Sequence, residues 1–97
     1  MKRKEALRIL HERQKELVER YHIASLFLFG SVARDEARSG SDVNILVKFT
    51  RPTGLLQFLD LKKHLEALFG CKVDIGKPQS LRPQVKARVW KEAIRIF

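Results

Sequence analysis

The sequence is short of several things, and each shortage removes a class of explanation. Cys71 is the only cysteine in 97 residues. One thiol cannot close an intramolecular disulfide or build a cysteine-based zinc site, so a reducing compartment is expected. No stretch approaches the ~20 apolar residues that a membrane span needs. The first residues, Met1-Lys2-Arg3-Lys4-Glu5, are basic, but no continuous apolar run follows them as a secretory leader requires. A soluble, cytoplasmic protein without membrane contact is therefore expected. Repeats, low-complexity tracts and linker-like runs are also missing, so residues 1–97 should form a single domain. Acidic residues are scarce: eleven Asp and Glu stand against twenty Lys and Arg, a formal charge of +9. A surplus of that sign attracts phosphate-bearing ligands, nucleic acid or an acidic protein surface, and does not choose among them. Aromatic residues are few, and the six Phe and one Trp fall in apolar faces rather than on a stacking platform. That disfavours a plain RNA-binding domain relative to the alternatives.

What the chain does have is periodicity. Residues 3–21 place Leu7, Leu10, Gln14, Leu17, Val18 and Tyr21 on one face of a helix, with Lys, Arg and Glu on the other. Ser25 to Phe29 contains Leu26-Phe27-Leu28-Phe29, apolar on both sides, the pattern of a short strand covered on both faces. Gly30-Ser31 breaks it, and Ser31 is placed to cap a short helix reaching about Arg38. Ser39-Gly40-Ser41 reads as a turn. Asp42 to Phe49 alternates strictly, Val43, Ile45, Val47 and Phe49 on one side and Asp42, Asn44, Leu46 and Lys48 on the other. Leu55 to Phe69 reads as a helix whose broad apolar face is Leu55, Phe58, Leu59, Leu61, Leu65 and Leu68, stopped by Gly70. Lys72 to Ile75 is a short strand with Asp74 pointing away from Val73 and Ile75. A last helix is expected over about Pro83 to Ile96. This order predicts an α/β (α+β) fold, a small mixed sheet of three to four strands with about four helices packed on it. A domain this small buries only roughly 60% of its unfolded surface. A partner, or a second copy in a homo-oligomer, would help its thin core.

Three polar residues stand out on the strands. Asp42 and Asn44 are two apart, so both leave the same face, and Asp74 shows the same in–out pattern on its own strand. If the strands are neighbours, the three converge on one polar spot. Crowded carboxylates repel unless a cation sits between them, and oxygen ligands so arranged suit Mg²⁺, above all when phosphates complete its octahedron. Gly30-Ser31 supplies a complementary feature, a glycine that lets phosphate approach the backbone at the start of a helix, with the Ser31 hydroxyl as donor. Arg34 lies just inside that helix, within reach of phosphate oxygens, and Arg38 is one turn further on. Taken singly each is ordinary: a Gly-Ser after a strand is mostly a turn, and Asp-x-Asn is mostly a solvent face. The ordered combination is far rarer. Elsewhere, His11, His22 and His64 share no metal-ligand spacing, Trp90 and Phe97 suit packing or partner contacts, and Lys77, Arg82, Lys86, Arg88, Lys91 and Arg95 make the C-terminal segment basic.

The run Gly30-Ser31-Val32-Ala33-Arg34 through Ser41-Asp42-Val43-Asn44-Ile45-Leu46-Val47 resembles the Gly-Ser-x10-Asp-x-Asp signature of minimal nucleotidyltransferases in the DNA polymerase-beta superfamily. The resemblance extends over nearly the whole chain, including Val73-Asp74-Ile75. It implies a nucleotidyltransferase fold and an Mg²⁺-dependent transfer of AMP, or another NMP, from ATP or another NTP to a hydroxyl. On that resemblance Asp42, Asn44 and Asp74 are the catalytic and metal-binding positions, and Gly30, Ser31 and Arg34 bind the nucleotide. It also implies a partner: small stand-alone members act as antitoxins of HEPN-domain toxins, attaching AMP to a toxin tyrosine. The alternative is a binding module that neutralises its partner by complex formation alone. Two positions depart from the family pattern. Asn44 replaces the second acid of the pair, which removes a charge and a bridging carboxylate and is expected to impair turnover. A degenerate binding module, an Asp-to-Asn variant that traps a substrate or partner, and a slow enzyme all remain open at this point. Asp35 stands where the family commonly has glycine, and a carboxylate there would repel phosphate unless it points away or pairs with a base.

Overall fold

The structure is a computed structural model that describes residues 1–97 except Ser39 and Ser41. The turn expected at Ser39-Gly40-Ser41 therefore lies in part outside the described residues. Four strands form one mixed sheet in the order β3-β2-β1-β4. They are β1 (Ile23–Phe29), β2 (Val43–Phe49), β3 (Val73–Gly76) and β4 (Ile94–Arg95). β1 runs antiparallel to both β2 and β4, and β2 runs parallel to β3. Among the described residues the helices are α1 (Arg3–Glu12), α2 (Gln14–Tyr21), α3 (Gly30–Ala33), α4 (Leu55–Phe69) and α5 (Pro83–Glu92), with a 3-10 turn at Pro78–Ser80. Among the described residues no helix is long and apolar enough to cross a membrane.

The alternation of β2 decides which face carries the core. Val43, Ile45 and Val47 join Leu26, Leu28 and Val73 in one buried cluster, with Ala6, Leu10, Leu17 and Tyr21 from α1 and α2 and Leu61, Leu65 and Phe69 from α4. Burying each of these aliphatic side chains stabilises the fold by about 1.5–3 kcal/mol against leaving it in water. Leu46, of opposite parity, is also fully buried but lies outside that cluster. It is on the second face of the sheet, where its β1 partner Phe27 meets Trp90 of α5 edge-on at 4.7 Å. α5 thus covers the middle of this face.

Several boundaries differ from the sequence reading. The first helix is two, separated at Arg13, although the bonds Arg13 N to Ile9 O and Leu17 N to Arg13 O carry the chain across. The last helix stops at Glu92. The chain then extends into β4, and the backbone bonds Ile96 N to Leu26 O and Leu26 N to Phe97 O tie it to β1. Gly70 ends α4 in the left-handed region as expected, with φ 71°. The start of α4 departs most from expectation. Leu55 and Leu56 are 71% and 85% exposed and Leu59 is exposed too, so the apolar face buries its later turns and leaves its first turn in solvent.

Candidate functional site

The β2–β3 register brings the chemistry-bearing positions together. Asn44 is the direct Cα partner of Asp74, and the Val43 N–H bonds the Lys72 carbonyl, so the ladder reaches the end of β2. Asp42 immediately precedes that strand and shares Asn44's parity. Asp42 and Asp74 are exposed and Asn44 is half-buried. On the other side of β2, Asn44 pairs with Phe29, the last residue of β1. Gly30 follows with φ 75°, in the left-handed region that glycine adopts without penalty. A Cβ there would run into the Asn44 amide nitrogen and come within 3.2 Å of its Cγ. Gly30 is therefore required twice over, by its backbone angle and by the side chain lying against it. The strands of Asn44 and Asp74 are neighbours, the condition on which the convergence of these polar positions rests, and the Gly-Ser turn touches the same strand at Asn44.

α3 is shorter than expected. It has four residues, Phe29 occupies the N-cap position without a side-chain bond, and Ser31 lies within the first turn instead of capping it. The helix closes with the Asp35 N–H on the Val32 carbonyl and the Glu36 N–H on the Ser31 carbonyl, while Asp35 takes φ 59°. This is a Schellman ending, whose left-handed residue is most often glycine. Asparagine and aspartate are the side chains that tolerate it best. The Asp35 carboxylate points to the start of α1, where it accepts the Arg3 backbone N–H at 2.9 Å. It thereby caps a helix 32 residues away and does not confront the Gly30-Ser31 turn.

Arg34 is held elsewhere. Its Nε donates to Glu36 at 3.1 Å and its NH1 to Glu92 of α5 at 2.9 Å. The hydrogen bonds to Glu36 and Glu92 raise its pKa. Two of its five N–H donors are so engaged, and these two carboxylates fix where the guanidinium sits. The sequence reading did not find Glu92, because nothing local marks a residue 58 positions from its partner. Among the described residues no group of three His, Cys, Asp or Glu is placed to hold a metal ion. At this end of the sheet the polar positions are two acids, Asp42 and Asp74, and the amide of Asn44.

A nucleotidyltransferase domain model matches residues 7–97, with the β1–Gly30-Ser31–β2 unit inside the match. The chain belongs to the nucleotidyltransferase domain family. The protein adenylyltransferase MntA of Thermococcus cleftensis is 40% identical over 88 residues, which is 91% of this chain and 89% of that protein. A solved structure provisionally named a minimal nucleotidyltransferase superposes with a TM-score of 0.80 at 40% identity, covering 97% of this chain and 95% of the other. A chain from the complex of tri-AMPylated Shewanella oneidensis HEPN toxin with MNT antitoxin superposes at 0.68 and 15% identity, covering 94% of this chain and 71% of the other. That last likeness is one of fold. With the family established, the nucleotidyltransferase domain reads as the unit that brings Gly30, Asn44 and Asp74 to one place.

Proposed function

We propose that this nucleotidyltransferase domain transfers AMP, or another NMP, from an NTP to a protein hydroxyl, acting in the cytoplasm as the antitoxin of a HEPN-domain toxin whose tyrosine is the acceptor. The observation that carries the proposal is the meeting of Asn44 with Asp74 on one side and with Gly30 on the other. The likeness to a protein adenylyltransferase of similar length supports the reaction class, and the likeness of fold to an MNT antitoxin supports the partner.

The donor set fits a divalent ion. Asp42 and Asp74 offer carboxylate oxygens and Asn44 an amide oxygen, the hard ligands that Mg²⁺ takes together with nucleotide phosphates. Once held there, Mg²⁺ would offset the charge on the phosphates and favour an ionised acceptor hydroxyl. Gly30 lets the Asn44 amide lie against the turn, and the Ser31 hydroxyl, free of any capping role, can donate to a phosphate. In the reaction the acceptor oxygen bonds to the α-phosphorus, the bond from that phosphorus to the bridging oxygen breaks, and pyrophosphate leaves. The acceptor's proton departs to solvent or a carboxylate.

Asn44 limits this chemistry. An amide cannot bridge two cations roughly 3.5–4 Å apart as a carboxylate does. A loss on the order of 10²-fold corresponds to about 3 kcal/mol in the barrier. The same residue favours a second reading, in which the domain neutralises its toxin by complex formation alone. Labelled ATP, Mg²⁺ and a HEPN-domain partner separate the two. Asn44→Asp is expected to increase label on the partner by about 10²-fold. No label from a folded Asn44→Asp protein would leave only the binding reading.

A further inference from the structure

Another feature lies at the far end of β2. Lys48 shares the parity of Asn44 and lies four residues further on, roughly 13 Å along the strand. Around it Lys48, Arg51, Lys77 and Lys86, with Thr53 and Gln79, line an open depression of about 740 Å³ that has no carboxylate in its wall. Two of these cations are held in place by aromatic rings. The Lys48 ammonium lies 5.2 Å from the centre of the Trp90 ring and 5.7 Å from that of Phe27. The Lys77 ammonium lies 5.6 Å from both Phe49 and Phe58. Such contacts position an ammonium without neutralising it. Thr53 and Lys77 also border a smaller, mostly apolar depression with Leu55, Phe58 and Ile75. Beside it stands the ledge of Leu55, Leu56 and Leu59 at the start of α4, the large apolar side chains that the fold leaves exposed.

We propose that this depression and its leucine ledge form the surface on which the domain's protein partner docks, and that the partner contributes an acidic amphipathic segment. Four cations without a carboxylate select an anionic ligand. Phosphate alone, or the backbone of a nucleic acid, would satisfy the cations and leave the leucines in water. An exposed apolar patch bordered by charge is instead the mark of a protein contact. A helix with glutamates on one side and leucines on the other would engage both. The position keeps a docked partner within one strand length of Asn44 and Asp74, with Lys48 on their face of the sheet and the leucine ledge on the α4 side. The docking claim rests on the proposed function only for the identity of the partner as acceptor. The two can fail separately: docking is read by binding, transfer by label.

Trp90 is the only tryptophan of the chain and lies under Lys48, so its fluorescence reports occupancy. The probes are a synthetic helical peptide with glutamates opposite leucines, an oligoglutamate of equal charge, an oligouridylate and inorganic tripolyphosphate. The amphipathic peptide should bind most tightly. Lys48→Glu with Lys77→Glu should weaken it on the order of tenfold or more. Lys4→Glu with Lys15→Glu, the same change in net charge on α1 and α2, should not. Leu55→Ser with Leu56→Ser should weaken the peptide and leave tripolyphosphate unchanged. If the charge reversals unfold the protein, Lys48→Gln with Lys77→Gln replaces them. The proposal is overturned if the leucine changes have no effect on the peptide, if both lysine pairs weaken it equally, or if oligouridylate or tripolyphosphate binds as tightly as the peptide.

Discussion

At the start of β2 the face of the sheet that α5 covers in part carries Asp42, Asn44 and, one strand over, Asp74. Four residues on from Asn44 the strand carries Lys48, and Arg51, Lys77 and Lys86 join it around the strand's end. Buried Leu46 and the Phe27–Trp90 pair separate the two. Either end could receive an anionic group, but by different physics. The lysine end attracts it directly. The acidic end repels it until a cation is present, so its selectivity lies in the oxygen donors of Asp42, Asn44 and Asp74. Across roughly 13 Å two unit charges interact by about 0.3 kcal/mol at the dielectric of water and about 1.3 kcal/mol at an effective value of 20, and salt screens the exposed part of that. The ends should therefore behave as independent sites, and changes made at one should add to changes made at the other.

The largest expected effect breaks the symmetry at the acidic end. Restoring the second acid with Asn44→Asp should raise AMP transfer by about 10²-fold while the Trp90 fluorescence response to an acidic peptide stays the same. A parallel loss of peptide binding would show that the two ends are coupled. Next in size is Gly30→Ala. It forces a side chain into the left-handed region and against the Asn44 amide, and should cost about 1–3 kcal/mol, read as a lower urea midpoint. In the Asn44→Ala background the collision is gone, so Gly30→Ala should cost measurably less there. Equal costs in both backgrounds would mean that the two residues do not touch.

Smaller effects test the frame around the comparison. Asp35→Ala removes the acceptor of the Arg3 N–H and should cost about 1 kcal/mol. Asp35→Gly should cost less, since glycine suits the positive φ. The reverse order would contradict the Schellman reading. Tyr21 offers a pH handle. Burial pushes its phenol pKa up, with Arg20 opposing and Asp60 adding to the rise. The folded state therefore holds the proton more tightly than the unfolded chain. This contribution is fully present below the ordinary tyrosine value of about 10 and is lost as pH rises through the folded pKa. Denaturation followed through that alkaline window should show a stability loss that is shallower in Tyr21→Phe. An unchanged profile would remove Tyr21 from the account.

The parity of Asp42, Asn44 and Leu46 could be read directly, because strict alternation over Val43–Phe49 leaves one assignment for each side chain. The end of α4 was equally plain from Gly70. Long-range partners were hidden. β4 is two residues inside a basic stretch with helical spacing, and it exists because Leu26 of β1 takes its backbone bonds. Nothing near Arg34 in the sequence marks its bond to Glu92, and nothing near Asp35 marks the bond of its carboxylate to the start of α1. Leu55 and Leu59 fit the apolar period of α4, but nothing in the described fold covers them. Periodicity says which residues share a face and not how far along the helix that face is covered.

The central claim is that the Gly30–Asn44–Asp74 end of the sheet receives the nucleotide. Backbone amide NMR of the isotope-labelled protein, titrated with a non-hydrolysable ATP analogue and Mg²⁺, tests it most directly. The account predicts the largest shifts at Gly30, Ser31, Asn44 and Asp74, abolished when Mg²⁺ is omitted or when Asp42 and Asp74 are both changed to Ala. Shifts centred on Lys48 and Lys77 and independent of Mg²⁺ would contradict it.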